Sequence, residues 1–111
     1  MAHHSAFLPW FEEGRVGLLR RLGKPYQRLE AEGVHFPVRE ACCRYRLPAR
    51  FDDVLTVKTE IEQVRGASIR FGYRITRRAE LIAEGHTLHA CVDDTGRVSR
   101  LPPAVRRLLE T

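Results

Sequence analysis

No run of apolar residues in this 111-residue chain exceeds three, as at 6–8 and 81–83. That is far short of the roughly 20 that cross a bilayer. A charged leader followed by an apolar signal core is also missing. A membrane-embedded role is therefore not expected, and the reading is of a soluble, cytoplasmic protein. Cysteine is scarce, at three. An odd count with Cys42 and Cys43 adjacent argues against a disulfide framework, because strand neighbours point to opposite faces. Eight glycines and six prolines are too few for a collagen-like or low-complexity chain. No phosphate-cradling glycine loop and no Gly-x-Gly-x-x-Gly turn occurs, which leaves phosphoryl transfer and nicotinamide chemistry without a foothold. The Gly-x-Ser-x-Gly elbow of serine hydrolases is missing too, and Ser5 has no evident base in the pattern.

What is present suits one folded domain over residues 1–111, with 43% hydrophobic and 30% charged residues. The net charge is +5, compatible with nucleic acid or with a phosphate-bearing small molecule. Acidic residues interleave with the basic ones on the same strands, which disfavours nucleic acid. Phe7, Phe11, Gly14, Leu18 and Leu22 recur at spacings of three and four, which predicts a helix over 5–22. Glu12, Glu13, Arg15 and Arg20 fall off that stripe. Ser5 suits an N-cap, Pro9 the first turn, and Gly23 with Pro25 the end. Gly14 and Gly17 each cost about 1 kcal/mol against Ala inside a helix, so close approach to a sheet is expected at both. A short helical turn over 26–32 follows.

The period then changes to two. Alternation predicts strands over 39–47, 53–64 and 67–77, each with one covered face. A fourth, 81–92, is apolar on both sides toward its end, as in a central strand or a subunit contact. Short connections favour sequential antiparallel neighbours. A strand fragment at 97–99 and a helix at 104–109 complete an α+β sandwich with the long helix lying on the sheet.

The segment His4-Ser5-Ala6-Phe7-Leu8-Pro9-Trp10-Phe11-Glu12-Glu13-Gly14-Arg15 resembles the opening of the central helix in hotdog-fold acyl-CoA thioesterases of the 4-hydroxybenzoyl-CoA thioesterase-like branch. Phe36-Pro37-Val38, Arg46-Leu47-Pro48-Ala49-Arg50-Phe51-Asp52-Asp53, Ala83-Glu84-Gly85 and Arg100-Leu101-Pro102 agree with it in the same order. The resemblance implies an antiparallel sheet wrapped around one long central helix, subunits paired side by side as a homodimer or dimer of dimers, and active sites at the subunit interface near the helix N-terminus. It implies hydrolysis of an acyl-CoA to free acid and coenzyme A, with no cofactor and no metal. Members usually open with an edge strand and an acidic loop whose Asp precedes the position of His4. Only Met1, Ala2 and His3 stand there, so that strand and the usual catalytic Asp are expected upstream of this sequence.

The resemblance carries His4 over as the group that polarises the thioester or positions water, and Glu12 as the next candidate carboxylate. Helix amides around Ser5 and Phe7 would hold the oxyanion. The acyl group is expected in an apolar slot between subunits near Phe7, Trp10 and Phe11, although Trp10 and Phe11 equally suit the core. Arg65, Ser68, Arg70 and Lys58 are the candidates for coenzyme A phosphates and pantetheine, since arginine suits bidentate contact with phosphate. Read on pattern alone, the same basic residues are a solvated sheet face with cross-strand Glu partners. His86, His89 and Cys91 superficially suggest metal ligands, but strand alternation sends His86 opposite to the other two. The alternative to an enzyme is a catalytically silent hotdog module that binds acyl-CoA or a protein partner.

Overall fold

The computed structural model describes residues 4–50 and 52–110, with side chains described from Pro9 onward. Helix α1 (His4–Arg21) starts two residues before the first helical position that Ser5 as N-cap implies. It ends as glycine dictates. Gly23 adopts φ +89°, its N–H reaches Arg20 O, and the Lys24 N–H reaches Leu19 O at 3.0 Å. This paired closure satisfies carbonyls that the helix leaves open. Helix α2 (Tyr26–Ala31) closes in the same way. Gly33 has φ +79°, and the Val34 N–H bonds Leu29 O at 2.9 Å.

Four strands follow, β1 (Val38–Tyr45), β2 (Thr56–Val64), β3 (Ser68–Arg77) and β4 (Glu80–Ala90), then helix α3 (Pro103–Leu109). The fragment expected at 97–99 forms only an isolated bridge between Val92 and Val98. All paired strands run antiparallel, in the order β1-β4-β3-β2. The expectation that sequential strands are neighbours therefore holds for β2-β3-β4 and fails for β1, which lies at the edge opposite β2. Two tight hairpins tie β2, β3 and β4 together, so β1 takes the free side of β4. β4, expected from its apolar end to be a central strand, accordingly has a paired neighbour along each edge. Residues 46–55 reach up to about 33 Å, ample to cross three strand spacings of about 5 Å each. The crossing is pinned by Asp53, which accepts from the Arg50 N–H at 2.6 Å and from Arg77 at 2.7 Å.

The inward residues of β3 are as alternation predicts. Ile69, Phe71, Tyr73 and Ile75 are buried. In β2 the register shifts between Ile61 and Gln63. The extra residue lets Ile61 and Val64, an odd number of positions apart, both pack against the core. Helix α1 lies on this face. Phe11 stacks on Tyr73 with ring centroids 4.2 Å apart. Gly14 sits so close to β2 that a Cβ there would collide with Thr59 Oγ1 and stand 3.2 Å from Val57 Cγ1. Gly85 of β4 likewise clears room for the Phe11 ring. Gly17 departs from the expectation: the nearest atom to a Cβ there is an Arg21 nitrogen at 3.4 Å, at the end of a flexible side chain.

The two helix glycines therefore separate experimentally. Gly14→Ala should lower unfolding free energy by about 1–3 kcal/mol through overpacking. Gly17→Ala should raise it by about 0.5–1 kcal/mol through helix propensity and chain entropy. Urea titration of both variants checks the contrast.

Candidate active site

Between α1 and the segment leading into β1 lies a groove of about 560 Å³. Val16, Phe36, Pro37 and Val38 supply much of its wall, and Glu12, Arg15, Tyr26, Glu30 and His35 supply its polar groups. Such an apolar cleft with a few convergent polar groups is the expected form of a small-molecule site. Glu12 is exposed on α1 and borders it. Across the groove His35 is fixed by its backbone. Its N–H bonds Val92 O at 3.0 Å, and Val92 N–H returns to His35 O at 2.9 Å. Its ring Nε2 lies 2.8 Å from Asp94 Oδ1.

Arg15 was expected on the outer side of α1, yet it is only 7% exposed. It stands one turn from both Phe11 and Leu19, which are buried, so helical geometry carries it onto the same face. Its charge is tolerated because Nη1 donates to Tyr73 Oη at 3.0 Å. Burial works against the guanidinium's charge, but the bond to Tyr73 and the neighbouring Tyr26 hydroxyl outweigh it and hold its pKa above the ordinary value. The chain of bonds continues inward. Tyr73 Oη is 2.5 Å from Thr87 Oγ1, Thr87 Oγ1 is 2.8 Å from His89 Nε2, and His89 Nδ1 is 2.9 Å from Phe36 O. The direction follows from chemistry. A carbonyl only accepts, so Nδ1 carries the proton and Nε2 accepts from Thr87. Thr87 then accepts from Tyr73, and Tyr73 from Arg15. Burial pushes the His89 pKa down to about 4, which keeps the ring neutral as this order requires. A polarised line thus runs from α1 to the carbonyl of Phe36 in the groove wall.

The structure separates the residues singled out in the sequence. His4, Ser5 and Phe7 lie in the first turns of α1, and their side chains are outside the described residues. Glu12 borders the groove two turns further on. Phe11 is fully buried and stacked on Tyr73, the core position that its place on the sheet-facing stripe suits. Arg65 and Ser68 flank the β2–β3 hairpin, where Arg65 N–H bonds Ser68 O at 2.9 Å. Arg70 is on the outer face of the sheet, ion-paired to Glu62 at 2.9 Å, and Lys58 is exposed on β2. Leu18 and Leu22, near the end of α1, share a groove with Ile61 and Val64, near the end of β2. The hairpin therefore lies toward the C-terminal end of α1, and an 18-residue helix is about 27 Å long. Within one chain the coenzyme candidates and the helix N-terminus are not brought together.

His86 and His89 leave β4 on opposite faces, as alternation requires: His89 enters the core, and His86 lies 3.6 Å from Glu40. Sequence reasoning missed His35, Asp94, Tyr26 and the burial of Arg15. His35 and Asp94 are 59 positions apart, and no periodicity links them. The only local signals are the capping Gly33 before one and the turn residues Thr95 and Gly96 after the other.

Fold and groove define an α+β protein of the hotdog type, its helix laid on an antiparallel sheet and a carboxylate beside the cleft. Residues 1–109 match the thioesterase-like superfamily, and the chain belongs to it. The acyl-CoA thioester hydrolase YbgC of Escherichia coli O157:H7 is 37% identical over 94 residues, spanning 84% of this chain and 70% of that protein. A putative esterase of Aquifex aeolicus is 29% identical over 110 residues, 99% of this chain and 85% of its own length. Of solved structures, a hypothetical protein from Thermus thermophilus, TT1821, superposes with a TM-score of 0.93 at 40% identity, covering 98% of this chain and 84% of that one. The DHNA-CoA thioesterase from Staphylococcus aureus does so at 0.91 and 26%, covering 97% and 76%.

The neutral His89 makes stability depend on pH. Its folded pKa of about 4 lies below the ordinary 6.5. The contribution is complete above pH 6.5 and is lost as pH falls toward 4, by about 3 kcal/mol at most. Unfolding free energies at pH 7 and pH 4.5 should show this loss, and His89→Asn should make the slope between them shallower.

Proposed function

We propose that this chain hydrolyses acyl-CoA thioesters to a free acid and coenzyme A. Kinship with acyl-CoA thioester hydrolases over most of the chain carries the reading. The groove supplies the chemistry. The first-turn amides of α1 have no intrahelical acceptors and sit at the positive end of its dipole, which suits them to the negative charge that develops on the thioester oxygen. His4 polarises the same carbonyl. Glu12 accepts a hydrogen bond from the attacking water and orients it. No cofactor enters the reaction.

Arg65, Ser68, Arg70 and Lys58 hold the coenzyme's phosphates and pantetheine, and they do so for a second copy. The separation along α1 supports this, and so does the open side of β1, where Val38 is 50% exposed. Antiparallel pairing of two β1 edges about a two-fold axis sets the Val38 end of one strand beside the Tyr45 end of the other. The Val38 end is also the hairpin end of the sheet, since Val38 pairs with His89 and Ser68 with Ala90. One protomer's hairpin then reaches the level of its partner's α1 N-terminus. The protein works as one domain per subunit, as a dimer or a dimer of dimers, in the cytoplasm.

A panel of aliphatic and aromatic acyl-CoAs, with released thiol read by a coloured disulfide reagent, tests the activity. Turnover of at least one ester is expected, and none across the panel would refute the reading. Glu12→Gln should lower kcat roughly 100-fold or more while leaving KM close to the wild-type value. A KM effect alone would remove Glu12 from the chemistry.

A further inference from the structure

The C-terminal segment meets the β2–β3 hairpin at a junction whose arginines the roles above leave largely unused. Cys91 N–H bonds Ala67 O at 2.8 Å, Ser99 N–H bonds Cys91 O at 2.9 Å, and Leu101 N–H bonds Gly66 O at 2.9 Å. These bonds stitch the segment after β4 to the hairpin tip. Leu101, Val105 and Leu109 are buried, and the last two stand one turn apart, so α3 turns a single apolar stripe to the core. Arg106, next to Val105, then reaches the hairpin. Its Nη1 donates to Arg65 O at 3.3 Å, and its Nε lies 2.9 Å from Glu110 Oε1. Arg65 and Arg100 each stand one residue from the bond between Gly66 and Leu101, and both are exposed. Among the described residues neither side chain has a hydrogen-bond or ion-pair partner. The N–H groups of Gly66 and Ala67 at the tip are likewise unbonded among the described residues. The space beside Gly66 is open, with no atom beyond its chain neighbours within 4 Å of where a Cβ would stand.

We infer that this junction is a phosphate site, in which Arg100 and Arg106 from the C-terminal segment join Arg65 of the hairpin around the phosphate groups of the coenzyme. This rests on the acyl-CoA reading and adds to it two residues, of which Arg106 lies 41 positions beyond Arg65. Three guanidinium groups gathered at one corner repel one another and call for a counter-ion. The chain does not supply it. Glu110 is held by Arg106, and Glu62 by Arg70, which leaves Arg65 and Arg100 without an acid. A phosphate brings the missing charge, and its several oxygens accept from two guanidinium forks at once. The free N–H groups of Gly66 and Ala67 and the half-buried Ser68 hydroxyl are further donors at the same tip. Arg106 acts in two ways. It offers charge, and by holding Arg65 O it fixes the hairpin that carries Arg65. The junction lies toward the C-terminal end of α1, so it touches no reacting atom of a thioester held at that helix's first turn. It holds the ligand equally before and during the bond change, and such an interaction sets KM and leaves kcat alone.

The experiment is calorimetric titration of the full chain with free coenzyme A and with pantetheine, which lacks the phosphates, for wild type, Arg65→Gln, Arg100→Gln, Arg100→Lys and Arg106→Gln. Steady-state kinetics on an acyl-CoA and on the matching acyl-pantetheine accompany it. Thermal unfolding verifies that each variant is folded, and Arg65 and Arg100 are exposed, where exchange is tolerated. Wild type should bind coenzyme A more tightly than pantetheine, and less tightly as salt is raised. Arg65→Gln and Arg100→Gln should each weaken coenzyme A binding roughly 10-fold. KM for the acyl-CoA should rise by a similar factor at unchanged kcat, while pantetheine binding and acyl-pantetheine turnover keep their wild-type values. Arg106→Gln should do the same, and Arg100→Lys, which keeps the charge, should recover part of the loss. Wild-type affinity for coenzyme A in the glutamine variants, or an equal loss on pantetheine, overturns the site and leaves the hydrolase reading standing. Selective loss of coenzyme A binding in the variants of a protein that hydrolyses no acyl-CoA supports the site and refutes the hydrolase. A folded wild type that neither binds coenzyme A nor turns over an acyl-CoA overturns both.

Discussion

The seating of α1 on the sheet is the contact on which the rest of the structure depends. Phe11 stacks on Tyr73 at 4.2 Å, and two glycines, Gly14 on the helix and Gly85 on β4, remove the side chains that would hold the layers apart. An aromatic pair of this kind contributes about 0.5–1.5 kcal/mol beyond the area it buries. Its larger effect is geometric. With the helix so close, Arg15 has nowhere to go but inward. The interior must then accept a guanidinium, which it does only because Tyr73, Thr87 and His89 pass hydrogen bonds in one direction to the carbonyl of Phe36.

That line joins the two walls of the groove. One end is on α1, one position beyond Gly14, and the other is in the strip of backbone that also carries His35. Four consecutive hydrogen bonds, from Arg15 through Tyr73, Thr87 and His89 to Phe36 O, tie the helix that bears Glu12 to the strip that bears His35 through the core. The side of the groove that opens past Val38 meets the free edge of β1. The cleft and the exposed edge are therefore one continuous surface, and an additional strand there would border the cleft directly.

Much of the fold was legible from periodicity. Inward residues of β3 were identified position by position, α1 was bounded within a residue at each end, and the place of Gly14 at a close approach followed from its propensity penalty. The resemblance carried by residues 4–15 and four later segments identified the family. Two features were not legible. The strand order was misread at β1 because loop length limits which neighbours are possible without choosing among them. Arg15 was assigned to the outside because charge was allowed to outrank helical geometry.

The chain by itself determined the elements and their inward faces, since spacing of apolar residues acts locally and each element must bury one side. Only tertiary structure decided what meets across the sequence: His35 with Asp94, Arg15 with Tyr73, and the hairpin at Arg65 far from the start of α1. Such pairings depend on which edge a strand takes and how closely a helix approaches. Both are settled by the burial of the whole core at once, so residues 58 and 59 positions apart carry no local mark of each other.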